Sequence, residues 1–271
     1  MAKQTRIEWA DHTFNPWRGC TKVSPGCAHC YAETMSKRNP AVLGEWGPSA
    51  QRVISAESGW ERPLPWNRVA EADGLSHRVF CASLADVFEH RPELHAPRQQ
   101  LFGLIEQTPM LDWQLLTKRP ENIEAMLPAF WPAIGDRVWL GVSIEANDYT
   151  WRADYLRRVD CAVRFVSNEP ALGPLDQLDL TGLEWIIFGG ESGPHFRTAK
   201  LQLARDMKAR CEAAGVAFFF KQSSHRRSGR GTTLDGETVQ QFPLPRRGDR
   251  DMGSLRTTPA GCLDKPASGI G

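Results

Sequence analysis

Three cysteines, Cys20, Cys27 and Cys30, lie in the stretch CTKVSPGCAHCYAE, with no fourth close behind. Thiolates at this spacing ligate metals, and their number decides which metal site can form. A structural zinc site is closed by four protein ligands, commonly two CxxC-like pairs, because only then is the tetrahedral shell complete. Here one CxxC, Cys27 to Cys30, is joined by a thiol seven positions earlier, so zinc needs His12, Cys81 or a loop histidine as its fourth ligand. A [4Fe–4S] cluster held by three thiolates instead leaves one iron open to an exogenous ligand, and three is then the required number. The chain has seven cysteines in all, an odd count for a disulfide framework, and in a reducing compartment a tight cluster points to metal or redox chemistry. Of the others, Cys81 and Cys211 sit in apolar patterns as small core residues.

A second set of reactive groups recurs along the chain, and the elements that carry it are legible. Short apolar runs, RVFCASLADVF, DWQLLTKRP, RVWLGVSIE, AVRFVSNEP, LEWIIFGGES and GVAFFFKQS, follow one another from residue 78 at intervals of roughly 20 to 35 residues. That interval holds one strand, one helix and two connections. Most of the runs are continuously apolar, as parallel strands covered on both faces are. Helical patterns fill the gaps: PELHAPRQQLFGLIEQT, PENIEAMLPAF, and KLQLARDMKARCEAAG before Gly215. With a first strand near Thr13 and Phe14, this makes about seven βα-type units. The reading predicts an α/β fold, a complete or partial TIM-like (β/α) barrel with the cysteine loop after its first strand, over an open doubly wound sheet.

Each run ends in polar side chains: Ser83 and Asp86; Thr117, Lys118 and Arg119; Ser143 and Glu145; Ser167, Asn168 and Glu169; Gly190, Glu191 and Ser192; Lys221 and Gln222. In a barrel these strand ends converge on one face, where active sites are built. One such cluster is only a strand running into its loop, but six in succession predict a convergent site beside the cysteines. Residues 1–250 are expected to form one domain, with 40–76 an insertion over the mouth whose Trp46, Trp60 and Trp66 form a small core or lid. Residues 222–250 are read as a basic extension and 251–271 as a flexible tail.

Composition narrows the function classes. The 271 residues balance 33 Lys and Arg against 32 Asp and Glu, a formal charge of +1, so an argument for a nucleic-acid partner must be local. No run approaches the length of a membrane span and the start MAKQTRIEWADH lacks the apolar core of a signal peptide, so a cytoplasmic protein without membrane contact is expected.

The stretch IEWADHTFNPWRGCTKVSPGCAHCYAE, with the later blocks LLTKRP, GVSIE, SNEPALGP, FGGESG and FFFKQ, resembles a bacterial and phage-borne three-cysteine-motif family of radical-SAM-like proteins. More widely, a barrel with a three-cysteine loop and a ring just before the last cysteine, here His29, is similar to the radical S-adenosylmethionine superfamily. The resemblance covers most of residues 5 to 240. It implies a [4Fe–4S] cluster on Cys20, Cys27 and Cys30, S-adenosylmethionine at the fourth iron, a 5′-deoxyadenosyl radical that abstracts hydrogen from substrate, and a reductant protein. His29 is then expected near the adenine, with Tyr31 a second candidate for that contact. Ser143, Glu145, Ser167 and Glu169 are expected to hold ribose and amino groups. Lys118, Glu191 and Lys221 are the catalytic candidates, with Arg119 and Gln222 also facing substrate. For each carboxylate the alternative is an ion pair with a neighbouring cation.

Two features depart from the superfamily pattern. Six residues, including the turn-forming Pro25 and Gly26, separate the first two cysteines where three are commonest. Gly189, Gly190 and Glu191 resemble the Gly-Gly-Glu element that holds the methionine amino group, but they follow the sixth strand and not the second, so close backbone approach is the other reading. For the substrate, His225, Arg226, Arg227, Arg230, Arg246, Arg247 and Arg250, with several tryptophans, fit phosphate contact and base stacking, against a merely solvated Arg-Gly segment. The family's association with phages and a partner protein encoded nearby is compatible with nucleic-acid modification or repair and leaves the target open. Two other classes stand beside this: a metal-dependent hydrolase using Glu145, Glu169, Glu191 and a histidine, and a binding module with a structural metal.

Overall fold

Runs of Val, Ile, Leu and Phe without alternation are stable only where both faces of a strand are covered. In the computed structural model of the chain, which describes residue 5 and residues 7–246, these runs form one parallel sheet. Its strands are β1 (His12–Phe14), β2 (His77–Cys81), β3 (Leu111–Thr117), β4 (Val138–Ser143), β5 (Val163–Asn168), β6 (Trp185–Gly189) and β7 (Ala217–Gln222). Neighbours in space are neighbours in sequence, and every pairing is parallel. The sheet curls into a half-barrel, so the fold is a partial β/α architecture. It is not a complete barrel, because β1 and β7 do not pair.

Alternation along each strand divides the core in two. Trp139, Phe165, Trp185, Ile187 and Phe219 fill the concave side together with Trp9 and Phe242. Leu140, Val166, Ile186, Phe188, Phe218 and Phe220 belong to the other cluster, with the helices. The open side is covered by the stretch 239–242. Phe220 N donates to Val239 O at 2.8 Å and Gln241 N to Phe218 O at 3.1 Å, which satisfies the edge of β7. Phe242 then enters the concave core, with the Arg78 guanidinium 4.2 Å from its ring centre. Part of the stretch read as a basic extension thus pairs with the edge of β7 and packs on the concave side. Arg247, Arg250 and residues 251–271 lie outside the described residues.

Helix α1 (Tyr31–Ser36) follows the cysteine loop, and α2 (Pro63–Asp73), α3 (His95–Gln107), α4 (Arg152–Arg157) and α5 (Leu201–Ala214) follow in order. Helix α3 buries Leu101, Phe102, Leu104 and Ile105, and α5 buries Ala204, Met207 and Cys211. Gly215, at φ +68°, takes the left-handed cap that ends α5. The pattern PENIEAMLPAF yields a helix of only four residues, Ile123–Met126, because Pro128 drives Leu127 into extended backbone. The expected insertion at 40–76 needs correction: α2 within it packs on β2 and β3, and Trp60 and Trp66 join the main core instead of forming their own. Their indole surface is what fastens this stretch to the sheet.

His12, in β1, stacks on Trp66 with ring centres 4.4 Å apart and planes 2° from parallel. Burial first, then His77, drive its pKa down to about 4, with Asp11 pulling upward and Arg62 adding to the fall. The folded chain therefore holds His12 neutral where an unfolded histidine, at 6.5, takes up a proton. The resulting stability is whole above pH 6.5 and is lost as pH falls towards about 4. Thermal melts are expected to shift down across this window, and His12→Gln to flatten the dependence by about 1–2 kcal/mol for a partly buried ring. An unchanged slope in His12→Gln would assign the acid sensitivity elsewhere.

Candidate active site

The period of two along a strand decides which strand-end groups face the concave side. Ser143 is in phase with Trp139 and Ser167 with Phe165, so both stand above the aromatic floor, while Lys221 falls at a register shift between β6 and β7. Ser143 and Ser167 are register partners on adjacent strands, both buried.

The cysteine loop arrives over these strand ends and is fastened at two points. At the first, Glu145, fully buried, accepts from Ser24 Oγ at 2.6 Å and from Arg152 Nη1 at 2.9 Å, with Lys118 Nζ 3.6 Å away. Gly26 lies so close that a Cβ there would come within 3.0 Å of the Glu145 carboxylate. At the second, Arg119 donates to Asp86 Oδ2 at 2.8 Å and to Thr21 O at 2.6 Å, and its Nη1 lies 3.8 Å from Cys20 Sγ. Behind it Arg52 forms a two-pronged pair with Glu89, at 2.8 and 2.7 Å, and also reaches Thr21 Oγ1. Asp86 is saturated, accepting in addition from Thr117 Oγ1 and the Phe88 and Lys118 amides.

Cys20, Cys27 and Cys30 are all free and half-buried. Burial pushes the Cys20 thiol up to about 12, Asp86 adds to this, and Arg119 opposes it. Burial also raises Cys30. Ser24 Oγ lies 3.8 Å from Cys27 Sγ. Tyr31 is half exposed and donates its hydroxyl to Ser83 O at 2.8 Å.

The remaining carboxylates are each engaged with a cation. Lys221 Nζ donates to Glu169 Oε2, while Glu169 Oε1 is buried and has no hydrogen-bond partner among the described residues. Gly189 permits this arrangement, since a Cβ there would meet the Glu169 side chain at 2.8 Å. Glu191 accepts from Arg197 N, Nε and Nη2 at 2.7, 3.0 and 2.5 Å and from His29 Nδ1 at 3.0 Å. Burial works to raise this carboxyl, but the bonds from Arg197 and His29 outweigh it and hold it below the ordinary range. Gly190 packs against the backbone of Ser223 and Ser224.

The structure therefore brings Lys118, Glu145, Ser24 and the Cys27 end of the loop together, joins His29 to Glu191, and joins Lys221 to Glu169. Arg119 and Gln222 are both buried: Arg119 holds the Cys20 turn, and Gln222 donates to Gly190 O and accepts from Gly229 N. Ser24, Arg52, Glu89, Arg152 and Arg197 were not singled out in the sequence. Only Arg152 carried a signal, a cation in the first turn of the helix following the Glu145 strand end.

The donor chemistry suits a three-thiolate group: three unbridged thiols ride on one loop, with Lys118 and Arg119 nearby to offset negative charge. The other described cysteines, Cys81, Cys161 and Cys211, are buried in the core, so none extends the loop to a zinc-type set of four thiols. Among the described residues, however, no three His, Cys, Asp or Glu side chains are already gathered for a metal.

Fold and site define a parallel-sheet α/β protein of partial β/α-barrel form, with a fastened cysteine loop and cation-paired carboxylates at its strand ends. The chain belongs to the family described as "Protein of unknown function (DUF5131)", whose model matches residues 4–243. No curated protein and no solved structure matches it.

Proposed function

We propose that the chain is a radical S-adenosylmethionine-type enzyme, with Cys20, Cys27 and Cys30 as the ligands of a [4Fe–4S] cluster. When bound, that cluster supplies the one-electron reduction that cleaves S-adenosylmethionine to a 5′-deoxyadenosyl radical. The observation that carries this reading is the 2.6 Å bond from Ser24 to Glu145, which ties the three-thiol loop to the strand ends. Thiols and strand-end polar groups thereby share one mouth.

The chain's own residues have separable tasks. Glu169 Oε1, buried without a partner among the described residues, is the acceptor that a ligand's ammonium or hydroxyl satisfies, since leaving it unpaired costs about 1–3 kcal/mol. Lys221 neutralises the other oxygen and keeps the carboxylate from turning away. Ser143 and Ser167 offer adjacent hydroxyls for a ribose. Glu191 and Arg197 hold the His29 ring over the loop. The aromatic floor below, Trp139, Phe165 and Phe219, excludes water from one side.

Anaerobic reconstitution is expected to give about four iron and four sulfide per chain. A reduced EPR signal that changes on adding S-adenosylmethionine, and release of 5′-deoxyadenosine, complete the expectation. The Cys20→Ala/Cys27→Ala/Cys30→Ala variant should lose all three while melting as the parent does. Stoichiometric zinc without sulfide would overturn the reading and return the thiols to a structural site.

A further inference from the structure

Around the mouth, most cations are committed to acids: Lys118 to Glu145, Arg119 to Asp86, Arg197 to Glu191 and Lys221 to Glu169. Arg226, Arg227 and Arg230 are not. All three are exposed, and among the described residues none of their guanidinium groups has a hydrogen-bond or ion-pair partner. The loop that carries them is held against the strand ends. Ser223 N donates to Gly231 O at 2.8 Å and Gly229 N to Gln222 Oε1 at 2.9 Å, closing the loop on itself. His225 N donates to Glu191 O at 3.2 Å and Gly193 N to His225 O at 3.1 Å, joining it to the end of β6. Three unpaired guanidinium groups within five residues, on a chain of net charge +1, are a local concentration and not a general basicity.

Guanidinium forks pair two-pronged with phosphate oxygens, and three of them in a row suit a chain of phosphates. Tyr31 supplies a second, independent element. It is half exposed, its hydroxyl is tied to Ser83 O, and it directly follows the cysteine loop, so its ring is a fixed platform for a base. An acidic peptide would use the arginines but has no need of that ring. We infer that loop 223–231 grips the phosphate backbone of a single-stranded or locally unstacked nucleic acid, one of whose nucleotides enters the mouth. A base inside a duplex cannot reach a recessed site without leaving the stack. The inference rests on the mouth being the working site proposed above.

The test is fluorescence anisotropy of the full chain with a labelled, mixed-sequence single-stranded DNA of about 16 nucleotides, titrated across salt. Removing three phosphate contacts, in Arg226→Ala/Arg227→Ala/Arg230→Ala, is expected to lower the slope of log K against log salt by about 2, with roughly hundredfold weaker binding near 0.1 M. The corresponding triple lysine variant keeps the slope, and Tyr31→Ala weakens binding without changing it. The guanidinium groups of the three exposed arginines make no hydrogen bond or ion pair among the described residues, so these variants should fold. Binding that ignores the triple alanine change, or poly-glutamate competing as well as the oligonucleotide at equal charge, would overturn the inference, the latter in favour of an acidic protein partner. Binding is expected to persist in the variant lacking Cys20, Cys27 and Cys30. Intact, arginine-dependent binding with no iron–sulfur cluster overturns the radical reading alone; a cluster with arginine-insensitive binding overturns this inference alone.

Discussion

Glu145→Ala is expected to destabilise the protein by about 3 kcal/mol, lowering the melting temperature by roughly 6–12 °C. Glu145 is fully buried, and its removal leaves the Arg152 guanidinium, also buried, with only the Ser143 carbonyl as a described polar acceptor. An uncompensated charge in that position costs far more than the intact pair contributes, because both groups were desolvated on folding. Glu145→Gln keeps the volume and a hydrogen-bond acceptor for Ser24, so about half the loss is expected. The second consequence is local. Without the Ser24 tether, Cys27 and Cys30 should alkylate faster under native conditions, read by mass spectrometry of the labelled peptide. A large loss of stability with unchanged thiol reactivity would show that the loop is fastened elsewhere, at Arg119 and Thr21.

Gly190→Ala is the second large effect. The added methyl would meet the Ser224 nitrogen and the Ser223 carbonyl carbon closer than 3.0 Å. These are backbone atoms, so no rotamer change relieves the clash, and the loop must shift bodily. A cost of about 1–3 kcal/mol is expected. Gly103 in α3 is the control, because nothing lies within 4 Å of a Cβ there. Gly103→Ala should leave stability unchanged or raise it by about 0.5–1 kcal/mol. Since the displaced segment leads into Arg226, Arg227 and Arg230, Gly190→Ala should also weaken oligonucleotide binding although it removes no charge. Equal melts for the two alanine variants would mean that the Ser223 and Ser224 backbone yields freely.

The strands were legible because burial on both faces leaves a mark that needs no partner to be known. WIIFG and AFFFKQ read as covered strands wherever their neighbours lie. The polar clusters at the strand ends were legible for a related reason, since a parallel sheet puts every strand's end on the same side. The cysteine motif announced itself by spacing alone. Other features left no local mark. The helix Pro63–Asp73 begins with two prolines and carries a weak apolar stripe, so only its packing on β2 and β3 reveals it as part of the wall.

Which charge meets which was decided by tertiary structure. Arg52 and Glu89 are separated by 37 positions and Ser24 and Glu145 by 121, and no periodicity links such pairs. The closing of the sheet's edge by residues 239–242 is of the same kind. Local burial and backbone geometry act within a turn or a strand and are written in residue order. Coulomb attraction and hydrogen bonds act through space, so their partners exist only once the sheet has curled and brought the loops to one mouth.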